Sequence, residues 1–382
     1  MAGAPSSRSG MGAVPYSGGV TFRLWAPNAT GVGVAGDFNG WAAAGTTLAG
    51  EPGGLWSADV PGAVAGQAYQ FLITTANATL TRVDPYARQV VSNDTGDAVK
   101  AVIYDEAAFS WADESYSSPG WTEMVIYELH VGSFGAAAAG MVGTLGDVAA
   151  RLPYLRDLGI NAVELLPLAS FEGSISWGYN PGAPFAVEEA YGGPDGLKAF
   201  VQAAHAHGIA VILDVVYNHF GPQDSILWDF DGSGPAWPGG IYFYGGSRAQ
   251  TPWGSRPDYS RPEVRQYLVD NATAWLQEYP STASAWTRRP TSATSAATVT
   301  RRSTSQMDGD CCSRSMTPST AASRGRSLSR RTCRATTRSP ARRASRARAS
   351  TPSGMRHSCS GYGPSSNRSR TLTGTWALSR RR

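Results

Sequence analysis

From Val20 onward, apolar and polar residues alternate in short runs: VTFRLWAP, GVGVAGDFNGW, LWSADVP and QAYQFLIT. Gly, Pro and Asn separate them. Period-two alternation between turn residues predicts half-buried strands, and this many in succession predict a small β-sandwich over residues 20–105. The pattern changes after a linker at 106–121 that ends in PGW. The apolar run MVIYELH is followed by LGDVAARLPYLRDLG, whose apolar residues recur at helical spacing up to a stop at Gly159. INAVELLP, PDGLKAFVQAAHAHG, AVILDVVYNH and RPEVRQYLVDNATAWLQEY repeat the strand–helix alternation, with Pro262 in the first turn of the last helix. Such alternation predicts parallel strands with helical crossovers over residues 122–279, an α/β arrangement. No Gly-rich phosphate loop follows the first of these strands, which argues against an open dinucleotide-binding sheet. Residues 1–19 are small and Gly- and Ser-rich, and read as disordered.

Charge divides the chain into two compositions. Residues 280–382 hold 21 of the 33 Lys and Arg but only two acids, Asp308 and Asp310, of the 29. That leaves residues 1–279 at −15 and the remainder at +19. A basic tail of this size suggests nucleic acid. Its Arg residues follow no period, however, and its aromatics are Trp286, Tyr362 and Trp376 alone, so no specific nucleic-acid partner is expected. The composition of 280–382 cannot build a core, and the segment reads as unstructured. All four Cys lie there too, so the body has no disulfide framework. Without a membrane-length apolar run or a leader pattern, a cytoplasmic protein is expected. No cofactor is implied and no complete metal site is visible.

The chemistry gathers at residues 210–219. The apolar run ends in Asp214, Asn218 and His219. Polar groups at the carboxyl end of a buried parallel strand are what a (β/α)-barrel active site is built from. The bland alternative is that they satisfy local backbone groups. The words YELHVGSF, AVELLP, WGYNP, AYGGPDGLKAF, DVVYNH and TPWG, in this order, resemble glycoside hydrolase family 13, the α-amylase superfamily. FRLWAPNA, GDFNGW and VDPYAR resemble the immunoglobulin-like carbohydrate-binding module of family 48. The resemblance implies an immunoglobulin-like sandwich followed by the first part of an incomplete (β/α)8 TIM barrel. It makes Tyr179 the platform that stacks on the glucose whose bond is cut. Asp214 and His219 would hydrogen-bond hydroxyls of that sugar, and Asn218 would support the strand end. Trp41 is a candidate for stacking on glycan in the module, whereas Trp25 reads as core. Glu128 and His130 are strand-end polar groups without an assigned role, and His205 and His207 read as surface or packing residues. The implied partner is α-1,4-glucan or a maltooligosaccharide. Branching enzymes come first among the implied activities and maltooligosyltrehalose trehalohydrolases second. A non-enzymatic glycan-binding protein would need only the sandwich.

One departure is decisive. A retaining glycosidase needs two carboxyl groups flanking the scissile bond. In this family the nucleophile lies in a G-x-R-x-D word soon after a helix like the one ending at Tyr279. Here the chain continues PSTASAWTRRPTSA, without an acid. Read one base earlier, the triplet straddling Trp286 and Thr287 must be GAC, Asp. With G- or C-ending codons, the run from Ser281 to Thr287 becomes V-D-G-L-R-V-D. Residues 329–333 re-read, with permitted codons, as A-E-D-L, which resembles the word around the family's acid/base glutamate. From about Pro280 the chain therefore looks frameshifted, and no catalytic carboxylate is retained. Three parallel strands cannot close a barrel and leave an apolar edge. On this reading the sandwich folds alone and resists protease, while the barrel segment does not.

Overall fold

A computed structural model describes residues 3–280, apart from 94–97, 113–115, 139, 174, 222–224 and 235–238. The Arg-rich tail and its re-read words lie outside the described residues. Nine strands build the sandwich: β1 (Gly12–Tyr16), β2 (Gly19–Trp25), β3 (Gly31–Gly36), β4 (Thr46–Glu51), β5 (Leu55–Pro61), β6 (Ala68–Thr74), β7 (Thr79–Arg82), β8 (Gln89–Ser92) and β9 (Ala98–Val102). Their order is β1-β2-β5-β4-β3-β6-β9-β8, with β7 beside β6. The turn from one sheet to the other is made by β4. It pairs with β3 through Thr46–Leu48 and with β5 through Ala49–Glu51. Along β6 the alternation is legible, since Tyr69, Phe71 and Ile73 are buried and the residues between them are not. Phe22 of β2 meets Tyr69 and Phe71 edge-on, with ring centroids 5.0 and 6.4 Å apart.

The reading of residues 1–19 as disordered needs correction. Residues 12–16 pair with β2 over their whole length. The run GAVPY is too short and too small to stand out, and its Pro15 is tolerated because β1 is an edge strand. Upstream, Arg23 reaches out of β2 to the carbonyls of Gly10 and Ser6 at 2.9 and 3.1 Å. The Ser6 hydroxyl donates to Asp59 at 2.6 Å.

The α/β segment contains three parallel strands, β10 (Ile126–Leu129), β11 (Ala162–Leu165) and β14 (Ala210–Leu213), in the order β10-β11-β14. An antiparallel pair, β12 (Ala169–Phe171) and β13 (Pro181–Val187), leaves the end of β11. The helices are α1 (Val131–Phe134), α2 (Leu145–Ala149), α3 (Leu152–Asp157), α4 (Gly193–Ala206) and α5 (Pro262–Gln277). Because side chains alternate across a strand, each strand has two distinct faces. Leu129, Val163, Leu165, Val211 and Leu213 join Leu197, Phe200 and Val201 of α4 in one core. The opposite face, which a closed barrel would turn inward, carries Ala162, Ala210 and Ile212, covered by Tyr116 of the linker and Met124 just before β10. Further along that face stand Glu128, Glu164 and Asp214. Among the described residues, β10 and β14 each have one strand neighbour, so the sheet is open at both edges. No helix of the described residues is long and apolar enough to cross a membrane.

The sandwich does not close its core alone. Phe185, Phe220, Phe230, Tyr242 and Tyr267 belong to the same buried cluster as Phe22, Leu24 and Phe71. The two parts therefore do not divide at the linker, against the expectation of an independent module. Polar contacts seal the same junction. The Arg82 guanidinium donates to the carbonyls of Phe230 and Asp229 at 3.0 and 2.7 Å. Asn28 donates to Asp231 at 2.8 Å, and Arg88 to Glu278 at 2.6 and 3.0 Å.

Asp84, from the word VDPYAR, is fully buried where the chain enters this junction. It accepts from the Tyr69 hydroxyl at 2.6 Å and from the Tyr86 amide at 2.8 Å. Burial raises its pKa to about 6 against the lowering pull of those two bonds and of Arg88. A carboxyl raised above its unfolded value near 3.9 contributes stability that is complete below that value. The contribution is lost as pH rises through about 6. Asp84→Asn should therefore compare worst with wild type at pH 4 and gain on it toward pH 7, by on the order of 2–3 kcal/mol. Urea midpoints at the two pH values check this, and parallel profiles would contradict it.

Candidate functional site

The carboxyl end of β14 is where the anticipated groups meet. The run WGY turns back toward β11 because Gly178, at φ +86°, lies against Pro167; a Cβ there would sit 2.1 Å from the Pro167 carbonyl oxygen. This close approach fixes Tyr179, which is 38% exposed and donates its hydroxyl to Asp214 Oδ2 at 2.6 Å. His219 Nε2 lies 2.7 Å from the Tyr179 carbonyl. The carbonyl can only accept, so Nε2 carries the proton. Nδ1 is then free to accept from the Asn218 amide at 3.2 Å. Burial lowers the His219 pKa against the raising effect of the Tyr179 carbonyl.

Both His219 nitrogens have protein partners, and through its bond to the Tyr179 carbonyl the ring is tied to the platform residue. Asn218 holds the His219 tautomer, and the backbone at this strand end is held by Tyr259, whose hydroxyl donates to the Tyr217 carbonyl at 2.6 Å. Trp41 does not belong to the group. It lies in a sandwich turn at φ +58°, donates to Asp37 Oδ1 at 2.8 Å, and has the Lys100 ammonium 4.5 Å from its ring centroid. One ring face is thereby occupied. Trp25 is buried, in line with its core reading, and its ring meets Tyr242 edge-on.

Asp214 is not alone on its face. Glu128 and Glu164 are register partners on β10 and β11. Burial pushes the Asp214 carboxyl up to about 6, the Tyr179 hydrogen bond opposing and Glu128 adding to the rise. Glu164 is raised by burial first, then by Glu128 and Asp214. Three acids thus share a face whose further end is apolar. Among the described residues no group of three or more His, Cys, Asp or Glu side chains has metal-holding geometry. Two exposed aromatics were not singled out in the sequence. Trp253, from the word TPWG, has its ring 5.8 Å from His219 and is 56% exposed, and Trp177 is 74% exposed. An exposed Trp inside a family word was the available signal.

His130 and His205 have structural partners. His130 Nδ1 caps α1 by accepting from the Ser133 amide, and its Nε2 lies 2.8 Å from the Ser176 carbonyl and 2.9 Å from the Tyr191 hydroxyl. His205 is buried and stacks on Tyr116 at 3.8 Å.

Comparison with known proteins falls on both parts of the chain. Residues 10–87 match the family model of carbohydrate-binding module 48 (isoamylase N-terminal domain). Residues 128–233 match that of the alpha amylase catalytic domain. A malto-oligosyltrehalose trehalohydrolase of Deinococcus radiodurans is 36% identical over 275 residues, covering 72% of this chain and 41% of its own. A 1,4-alpha-glucan branching enzyme of Marinobacter nauticus is 35% identical over 273 residues, covering 68% of this chain and 42% of its own. The crystal structure of a pullulanase from Anoxybacillus sp. LM18-11, complexed with maltotetraose, superposes with a TM-score of 0.61 at 27% identity, over 72% of this chain and 44% of that one. The chain thus spans about two fifths of the length of the relatives it matches.

Proposed function

The chain belongs to glycoside hydrolase family 13, the α-amylase superfamily, with a family 48 module ahead of its catalytic segment, and on that premise we propose that the enzyme it derives from acts on α-1,4-glucan by retaining double displacement. The observation that carries this reading is the Tyr179–Asp214 hydrogen bond of 2.6 Å at the end of β14. An aromatic ring tied to a carboxylate offers one sugar a stacking face and a hydroxyl acceptor at once. Such contacts count when they tighten on a distorted, oxocarbenium-like ring. In this reading Tyr179 is the platform, Asp214 the hydroxyl ligand, and His219 and Asn218 hold the platform in place. The restored word V-D-G-L-R-V-D supplies the nucleophile that residues 281–287 lack.

The acceptor is a sugar 6-hydroxyl in the first reading, which makes the enzyme a glycogen-branching transferase. The second reading is hydrolysis of maltooligosyltrehalose, favoured by the 36% identity to the trehalohydrolase. A frame-restored gene product incubated with amylose separates them. Loss of iodine colour with new α-1,6 linkages supports branching. Trehalose release from maltooligosyltrehalose supports hydrolysis, and inertness toward every α-glucan would end both readings.

A further inference from the structure

His130 follows the last residue of β10, at the opposite edge of the sheet from the strand that leads to His219. Its Nδ1 lies 3.2 Å from the Ser133 amide, which can only donate, so the ring proton is on Nε2. Nε2–H then donates to the Ser176 carbonyl at 2.8 Å. The buried Tyr191 hydroxyl lies 2.9 Å from the same nitrogen. Gly132 leaves room for this arrangement, since a Cβ there would crowd His130 Cε1 at 3.1 Å and Tyr191 Cε1 at 3.2 Å.

Ser176 is where the Tyr179 turn begins. Its hydroxyl oxygen accepts from the Gly178 amide at 3.0 Å, and the hydroxyl donates to the Asn180 side chain. His219 fastens the other end of the run at the Tyr179 carbonyl. The two histidines are thus used alike. Each keeps Nδ1 as an acceptor for a neighbouring amide and spends Nε2–H on a backbone carbonyl of the same loop. Because the rings come from opposite edges of the sheet, the place of the loop is set across all three parallel strands.

We propose that His130 is a positioning residue for Tyr179. By holding the Ser176 carbonyl it keeps the turn where the Tyr179 hydroxyl meets Asp214 Oδ2. The inference rests on the reading of Tyr179 as the platform for a glucose ring, and adds to it a group that touches no sugar. A loop fastened at the Tyr179 carbonyl alone would pivot about that point, and the upstream fastening removes the pivot. A platform fixed before substrate arrives has no ordering cost left to meet on binding.

Two substitutions separate this role from that of a cap on α1. His130→Asn keeps an acceptor for the Ser133 amide but is too short to reach Ser176. His130→Gln carries an amide N–H out to the position of Nε2 and gives up the cap. In the 382-residue chain, Tyr179→Phe deletes the hydroxyl bonded to Asp214, and the resulting shift of the urea midpoint reports that bond. The shift should fall to about half or less in His130→Asn and return in His130→Gln. His130→Ser, another short cap, takes the place of His130→Asn if that chain does not fold. An equal shift in wild type and His130→Asn would overturn the proposal, as would no shift in wild type or a shift lost in His130→Gln. In the frame-restored enzyme, His130→Asn should lower kcat/KM on amylose about tenfold, with His130→Gln recovering most of it. If that enzyme converts amylose and His130→Asn changes nothing, the positioning role falls and the activity stands. If the midpoints are coupled and no α-glucan is converted, the tie stands and the platform reading falls.

Discussion

Mixed with amylose, the purified 382-residue chain is expected to leave iodine colour and reducing ends unchanged, while the frame-restored enzyme of the proposed reading should change one of them at least about 10⁴-fold faster. Retention requires two carboxyl groups about 5 Å apart across the scissile bond. The chain offers Asp214, Glu128 and Glu164 on one face of the sheet, but none of these stands where the family's word places the attacking group. Between Tyr279 and Asp308 there is no acid in the sequence at all. On the proposed reading Tyr179 and Asp214 could still orient a sugar, and orientation without a nucleophile leaves double displacement without its first step. A second substitution sharpens the test. Changing the restored Asp at the Trp286/Thr287 junction to Asn should return the long enzyme to the inertness of the short chain. Turnover by the 382-residue chain within about tenfold of the restored enzyme would overturn the account.

Tyr267→Ala should destabilise the sandwich and the parallel sheet together, by roughly 3–5 kcal/mol, the usual cost of removing a buried aromatic. Its ring lies 5.1 Å from those of Tyr86 and Phe185 and 5.3 Å from that of Tyr242. Its hydroxyl donates to the Pro85 carbonyl at 3.0 Å, a contact that joins α5 to the end of the sandwich. Tyr267→Phe removes that bond alone and should cost about 1 kcal/mol. Hydrogen exchange reads the distinction. In Tyr267→Ala, the amides of β2 and β6 should lose protection in step with those of β11 and β14. Protection lost only in the sheet would mean that the two parts fold separately after all.

The sandwich, the parallel strands and the long helices were legible because each is periodic over enough residues to outweigh chance. Residues 68–74 alternate, and α5 repeats its buried positions at Val264, Tyr267, Asn271 and Trp275. β1 was not legible, since five residues containing Gly and Pro have no period to read. Nor was the shared core. Tyr242 and Tyr267 look like ordinary loop and helix aromatics until the fold brings Trp25 and Tyr86 against them. At the strand end, residue type pointed to Asp214, Asn218 and His219, and the family resemblance added Tyr179 to the group. The orientation of the His219 ring was not foretold, because it depends on a carbonyl 40 residues away in the chain. The pairing of Glu128 with Glu164 depends on parallel register, which no single strand encodes.

The junction also sets a timetable for the nascent chain. Asn28 waits for Asp231, Pro85 for Tyr267 and Arg88 for Glu278, across separations of 203, 182 and 190 residues. At 5–20 residues per second, the first strands leave the ribosome roughly 10–40 s before these partners exist. During that interval Trp25, Tyr86 and the buried Asp84 face water or a chaperone, and β1 is an unguarded edge. A synonymous change that slows translation between residues 105 and 240 lengthens this window without altering one side chain. Yield of soluble protein should fall accordingly, even though the finished molecule is the same.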